Sequence, residues 1–121
     1  MNNLKDQACP AKLRAIRDAL EAVSGKWKIP IVVSLSYGKK RFGEIRGDVD
    51  GISPKMLSKE LKDLEENRLV NRKVQDSMPV VIEYELTELG ISLQELMEEL
   101  YKWGKQYREK SMTKPLQTHI A

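Results

Sequence analysis

Ser53-Pro54-Lys55-Met56-Leu57-Ser58-Lys59-Glu60-Leu61-Lys62-Asp63-Leu64-Glu65 decides the reading of this chain. A serine hydroxyl can accept from the unpaired amides of a first helical turn, and proline in the next position gives up an amide hydrogen that the turn does not need. The segment therefore reads as a helix from Pro54 to about Glu66. At about 100° per residue, Leu57, Leu61 and Leu64 cluster on one side. Lys55, Lys59 and Lys62 lie nearly a half-turn away, with Ser58 beside them. One face is made to pack, and the other offers cations and a hydroxyl. Lysines opposite leucines also occur on ordinary solvated helices. Glu60, Asp63 and Glu65 partly neutralise this one, so the face alone does not name a partner.

Downstream, Leu69–Gln75 sets Val70 and Val74 against Asn71, Lys73 and Gln75. Val81–Leu86 alternates Ile82, Tyr84 and Leu86 with Glu83 and Glu85, the period of a strand. Asp76-Ser77-Met78-Pro79 between them is a polar, proline-bearing hairpin loop. Thr87 caps a long final helix with Glu88 in its first turn. Leu89, Leu93, Met97, Leu100 and Tyr107 form the stripe of that helix, widened by Leu96, Tyr101 and Trp103. Upstream, a short helix over Arg41–Arg46 turns Phe42 and Ile45 inward, and Gly47 and Gly51 bracket a turn. Leu13, Ile16, Leu20 and Val23 share one face of a helix over Lys12–Val23, which Ser24-Gly25 stops. A second apolar stretch, Trp27–Leu35, contains Pro30. If its helix opens near Lys26, Pro30 falls in the first turn, where it costs little.

The expected order is α-α-α-α-β-β-α: mainly α with a small antiparallel β-hairpin, an α+β class that excludes a parallel α/β sheet. Two short helices joined by a tight turn and followed by a hairpin make a winged helix-turn-helix, in which the second helix enters a groove and the hairpin is the wing. A major groove about 12 Å wide admits one such helix. The chain has 121 residues and a net charge of +3, too small by itself to require a polyanion. Residues 74–101, however, hold seven acidic side chains and no basic one, which masks a basic remainder. Lys39, Lys40 and Arg41 precede the first motif helix, and Arg72 and Lys73 lie on the wing. Basic groups on consecutive elements of one motif make double-stranded DNA the expected partner.

These residues resemble the HxlR-type regulators. The resemblance rests on Cys9-Pro10, Gly25-Lys26-Trp27-Lys28, Arg41-Phe42-Gly43-Glu44-Ile45 and Gly51-Ile52-Ser53-Pro54-Lys55-Met56-Leu57-Ser58-Lys59-Glu60-Leu61. Leu64-Glu65, Glu83-Tyr84-Glu85-Leu86-Thr87-Glu88-Leu89-Gly90 and Trp103 complete it, in order and at the expected spacing over roughly residues 9–107. It implies a MarR-like winged helix, a bacterial repressor or activator, and a dimer. Ser53–Glu65 would be the recognition helix, with Ser53, Lys55, Met56, Ser58, Lys59 and Lys62 at the duplex, and Val70–Leu86 the wing region. The N-terminal and last helices would make the dimer contacts, through Leu13, Ile16, Leu20, Leu93, Met97, Leu100, Tyr101, Trp103 and Tyr107. A dimer is also expected because the last helix is apolar over more than one stripe, more than a core this size covers. The implied layout is a flexible segment over 1–8, the regulator domain over 9–107 and a polar tail over 108–121. Pro30 stands where the family more often has an aliphatic residue, and Asn67-Arg68 replaces an acidic residue and glycine.

Cys9 is a candidate redox sensor. The family implies such a role for N-terminal cysteines in several members, and Lys5, Lys12 and the start of the first helix supply the positive surroundings that make a thiol reactive. The alternative is a small side chain packed under the helix. His119 lies in the polar tail, and one histidine with one cysteine is too few soft ligands for a structural zinc site. No catalytic arrangement, phosphate loop, metal or cofactor is expected. Two other readings stay open: a winged-helix module that binds protein, and a regulator with a small-molecule pocket near Trp27, Tyr101 and Trp103 at the dimer interface. One cysteine, no leader-like apolar run and no apolar span lead to an expected cytoplasmic location, on the nucleoid when DNA-bound.

Overall fold

The computed structural model describes residues 9–112. Eight elements follow one another: α1 Cys9–Ala22, α2 Lys28–Leu35, β1 Lys40–Arg41, α3 Phe42–Asp48, α4 Pro54–Glu66, β2 Val70–Gln75, β3 Val81–Leu86 and α5 Glu88–Met112. The expected 1–8 segment and His119 lie outside the described residues. The last helix continues to Met112, so the stretch expected as tail from 108 begins as helix.

The local chemistry explains most boundaries. Pro30 is the third residue of α2, a position whose amide has no partner in the helix, and Ile31 donates to the Trp27 carbonyl at 3.1 Å. Ser53 Oγ accepts from the Met56 amide at 3.1 Å and caps α4 ahead of Pro54. At the other end of α4, the Leu69 amide donates to the Leu64 carbonyl (2.9 Å) and Arg68 to Glu65 (3.0 Å), with Arg68 in the left-handed region at φ 63°. This is a Schellman ending with arginine where glycine is usual. Thr87 Oγ1 accepts from the Gly90 amide and donates to the Arg68 carbonyl, so one hydroxyl caps α5 and ties it to the end of α4.

The sheet has three antiparallel strands in the order β1-β3-β2, where the sequence suggested only a hairpin. Lys40 pairs with Tyr84 and Arg41 with Glu83. A two-residue strand is too short to show alternation, so β1 is visible only through its partner. In β2 and β3, Val70 faces Leu86 and Gln75 faces Val81. Two expectations of face need correction. Val74 is exposed although Val70 is buried, because β2 leaves the core as it runs toward the hairpin loop. All six residues of β3 are half-buried, Glu83 and Glu85 included, because β3 is the central strand and both carboxylates are covered by cations.

The core joins Ile31, Val32 and Leu35 of α2, Ile45 of α3, Val49, Ile52, Leu57, Leu61 and Leu64 of α4, Leu69 and Val70. Phe42, Met56, Tyr84, Leu86, Leu93 and Met97 pack against it from the edge. Only the early part of α5 reaches this core, and its approach depends on Gly90. A side chain there would run into the Leu69 backbone carbonyl. No described helix is long and apolar enough to cross a membrane.

Candidate nucleic-acid interface

Two faces of α4 set the geometry. Leu57, Leu61 and Leu64 are fully buried, while Lys55, Ser58, Lys59 and Lys62 are exposed. Among the described residues, no carboxylate pairs with Lys55 or Lys62. Lys59 Nζ lies 3.5 Å from Asp63 Oδ2 and 4.0 Å from Glu60 Oε2. Met56 is half-buried against the core, and the Ser53 hydroxyl is engaged by the Met56 amide. Of the six residues expected at the duplex on this helix, Lys55, Ser58, Lys59 and Lys62 are exposed, Lys59 beside Asp63, whereas Ser53 caps the helix and Met56 packs against the core.

The acidic residues of α4 do not behave as the sequence suggested. Glu60 is buried, three residues from Leu57 and four from Leu64, and points into the molecule rather than among the lysines. Its Oε1 accepts from Lys28 Nζ of α2 at 2.6 Å, and the same ammonium reaches Asp63 Oδ2 at 3.4 Å. Burial works against the Lys28 ammonium. The hydrogen bond and charge of Glu60, then those of Asp63, outweigh it and hold its pKa above the usual lysine value. Burial likewise opposes ionised Asp63, but the Lys28 hydrogen bond and the charges of Lys59 and Lys28 keep its pKa below the usual carboxylate range. Neither Lys28 nor the burial of Glu60 was foreseen. Glu60's place beside Leu57 and Leu64 on the helical wheel is the signal that could have found it.

The flanking cations divide in the same way. Lys40 is held by Asp48, whose other contact is the Ser34 hydroxyl at 2.8 Å; these two hydrogen bonds keep the Asp48 pKa low. Lys39 lies 3.7 Å from Glu83, and Lys73 pairs with Glu85 at 2.8 Å. The Arg41 amide donates to the Glu44 carboxylate at 2.8 Å, but Arg41 and Arg72 are exposed and, among the described residues, their guanidinium groups form no ion pair. Arg46 was not singled out in the sequence. It lines an open cleft of about 660 Å³ with Gly43, Gly47, Gly51, Ile52, Ser53 and Pro54, beside the first turn of α4. The free cations thus sit on α4, at both ends of α3 and on the wing.

The remaining candidates are elsewhere. Leu13, Ile16 and Leu20 of α1 and Leu100, Tyr101, Trp103 and Tyr107 of α5 are exposed, and Leu93 and Met97 are half-buried. Trp103 and Tyr107 stack with ring centres 5.2 Å apart. They line a shallow groove with Gln106, Lys110 and Ser111. Within one chain Trp27 and Tyr101 do not line that groove. Cys9 opens α1.

The HxlR-like helix-turn-helix family model matches residues 22–112. The uncharacterized HTH-type transcriptional regulator YtcD of Bacillus subtilis (strain 168) is 39% identical over 90 residues, covering 74% of this chain and 71% of that protein. A MarR-family transcriptional regulator structure from Enterococcus faecalis V583 superposes with a TM-score of 0.77 at 33% identity, over 84% of this chain and 93% of that one. The reduced form of the transcriptional regulator YodB from B. subtilis gives 0.75 at 37% identity, over 80% and 95%. YodB has also been solved after diamide treatment and with quinone bound.

Proposed function

The chain belongs to the HxlR-like helix-turn-helix family of transcription regulators, and from that premise we propose that two copies of it bind a pseudo-palindromic operator, each laying α4 in the major groove. The observation that carries this reading is the division of α4, with three leucines sealed in the core and three ammonium groups on the opposite side. Arg41 and Arg46 flank the start of this motif and Arg72 stands on the wing, where each is placed to neutralise a phosphate. Phosphate contacts set register and bases set specificity. In a two-fold dimer the reader helices would stand about 34 Å apart, one turn of DNA. The exposed apolar faces of α1 and α5 are the surfaces that would join the copies.

The test is a gel shift on the DNA upstream of the chain's own gene and its divergent neighbour, across a salt series. Replacing Lys55, Lys59 and Lys62 together with alanine should weaken binding by roughly two to three orders of magnitude near ~0.1 M salt and flatten the salt slope by roughly 2–3, about 0.9 per lost phosphate contact. Binding that ignores this substitution would instead favour a winged-helix module that docks protein.

A second reading concerns control. YodB, similar to this chain, is known in reduced, diamide-treated and quinone-bound forms, and Cys9 is the single thiol here, at the first residue of α1. We propose that Cys9 makes DNA binding responsive to oxidants or quinones, through a bond to its mate or to a small thiol. Diamide or a quinone should release DNA from the wild type and leave Cys9→Ser bound. Equal responses of the two proteins would remove Cys9 from the mechanism.

A further inference from the structure

Two ammonium groups compete for the same pair of carboxylates. From inside the molecule, Lys28 Nζ lies 2.6 Å from Glu60 and 3.4 Å from Asp63. From the outer face of α4, Lys59 Nζ lies 3.5 Å from Asp63 and 4.0 Å from Glu60. The surroundings differ sharply. The Lys28 and Glu60 side chains are each 10% exposed, whereas Lys59 is 64% exposed. A carboxylate as buried as Glu60 cannot be satisfied by bulk water and requires a cation close by. Of the two within reach, Lys28 makes the shorter contact and gives up the least freedom, because packing already fixes its stem.

We infer that Lys28 is a positioning residue for DNA binding: by satisfying Glu60 and sharing Asp63 from the interior, it leaves Lys59 only a long, exposed contact with Asp63, which a phosphate can displace. The inference rests on the proposal that the lysine face of α4 meets the duplex. Without the Lys28 charge, Lys59 is the cation nearest the uncompensated carboxylate pair, and its long side chain folds back over Glu60. The duplex then loses a contact although Lys28 never touches it. Each lost phosphate contact removes about 0.9 from the salt slope and up to roughly tenfold in affinity near ~0.1 M salt.

The experiment measures fluorescence anisotropy of a mixed-sequence DNA duplex against the full chain over a salt series. Lys59→Ala should lower the slope by about one. Lys28→Met should lower it equally, and the double variant should lose no more than either single one. Neutralising both carboxylates in the Lys28→Met chain, with Glu60→Gln and Asp63→Asn, should restore slope and affinity. A merely structural role for Lys28 would show neither the shared loss nor the rescue. Should Lys28→Met fail to fold, Asp63→Asn serves. It keeps the Lys28–Glu60 pair, frees Lys59 from its nearer carboxylate and should tighten binding several-fold, a gain that disappears in the Lys59→Ala background. The inference is overturned if Lys28→Met leaves the slope unchanged, if its loss is as large without Lys59 as with it, or if the Asp63→Asn gain persists in Lys59→Ala. A Lys59→Ala chain that binds like wild type would overturn the α4 reading and this inference together.

Discussion

Helices α4 and α5 are both amphipathic in sequence and meet different fates. The three leucines of α4 are at most 1% exposed, whereas Leu100, Tyr101, Trp103 and Tyr107 of α5 are 46–63% exposed. Leu57, Leu61 and Leu64 keep to one narrow stripe at four- and three-residue steps, whereas Leu100, Tyr101, Trp103 and Tyr107 spread over more than one. The difference in exposure follows from what stands opposite. Strand β2 and helices α2 and α3 close over α4, while α5 leaves the body of the domain after Gly90, Leu93 and Met97. The apolar face of α4 is completed by its own chain. The distal face of α5, like Leu13, Ile16 and Leu20 of α1, is open to a second chain.

One pair of variants puts that contrast at risk. Leu61→Ala should remove about 2–5 kcal/mol of stability at any protein concentration, because it empties a fully buried site. Leu100→Ser should cost the fold itself no more than about 0.5 kcal/mol, since the site is exposed. Its effect should fall on association. If two copies join as proposed, the wild-type thermal midpoint should rise with protein concentration, and in Leu100→Ser that rise should flatten. Thermal denaturation over a dilution series reads both. If Leu100→Ser behaved like Leu61→Ala at high dilution, α5 would belong to the monomer core and the contrast would be lost.

What the sequence revealed follows the range of the interactions concerned. Helix α4 was legible to its first residue because Ser53 and Pro54 are local signals, and β3 because its alternation needs no partner to be seen. Strand β1 was not, since two residues acquire an extended identity only by pairing with Tyr84 and Glu83. On α4 the lysines were legible as a face, because periodicity places a side chain on a helix. Which basic groups of the motif are available was not, because that depends on partners elsewhere in the chain or across the same helix. Lys40 is occupied by Asp48, Lys73 by Glu85, and Glu60 is withdrawn by Lys28 from 32 residues away. Charge counting treated Glu60 as a neighbour of Lys59 on the surface, whereas burial makes it a group of the interior.

A small gain in stability sharpens the comparison at the joint between the two helices. Arg68 holds a left-handed backbone conformation, φ 63°, in the turn that ends α4, and its carbonyl accepts from the Thr87 hydroxyl at the start of α5. A side chain in that conformation brings Cβ toward the following carbonyl oxygen, at a cost of order 1–2 kcal/mol that glycine does not incur. Glycine also loses more backbone freedom on folding, which returns roughly 0.5–1 kcal/mol of the gain. Arg68→Gly should therefore raise stability by no more than about 1 kcal/mol, readable as an increased denaturant midpoint at unchanged slope. The cap hydrogen bonds are all made by the backbone and Thr87, so none is lost with the arginine side chain. A drop in stability would mean that the Arg68 side chain holds the joint through a contact of its own, and that α5 is anchored to α4 by more than Gly90 and Thr87.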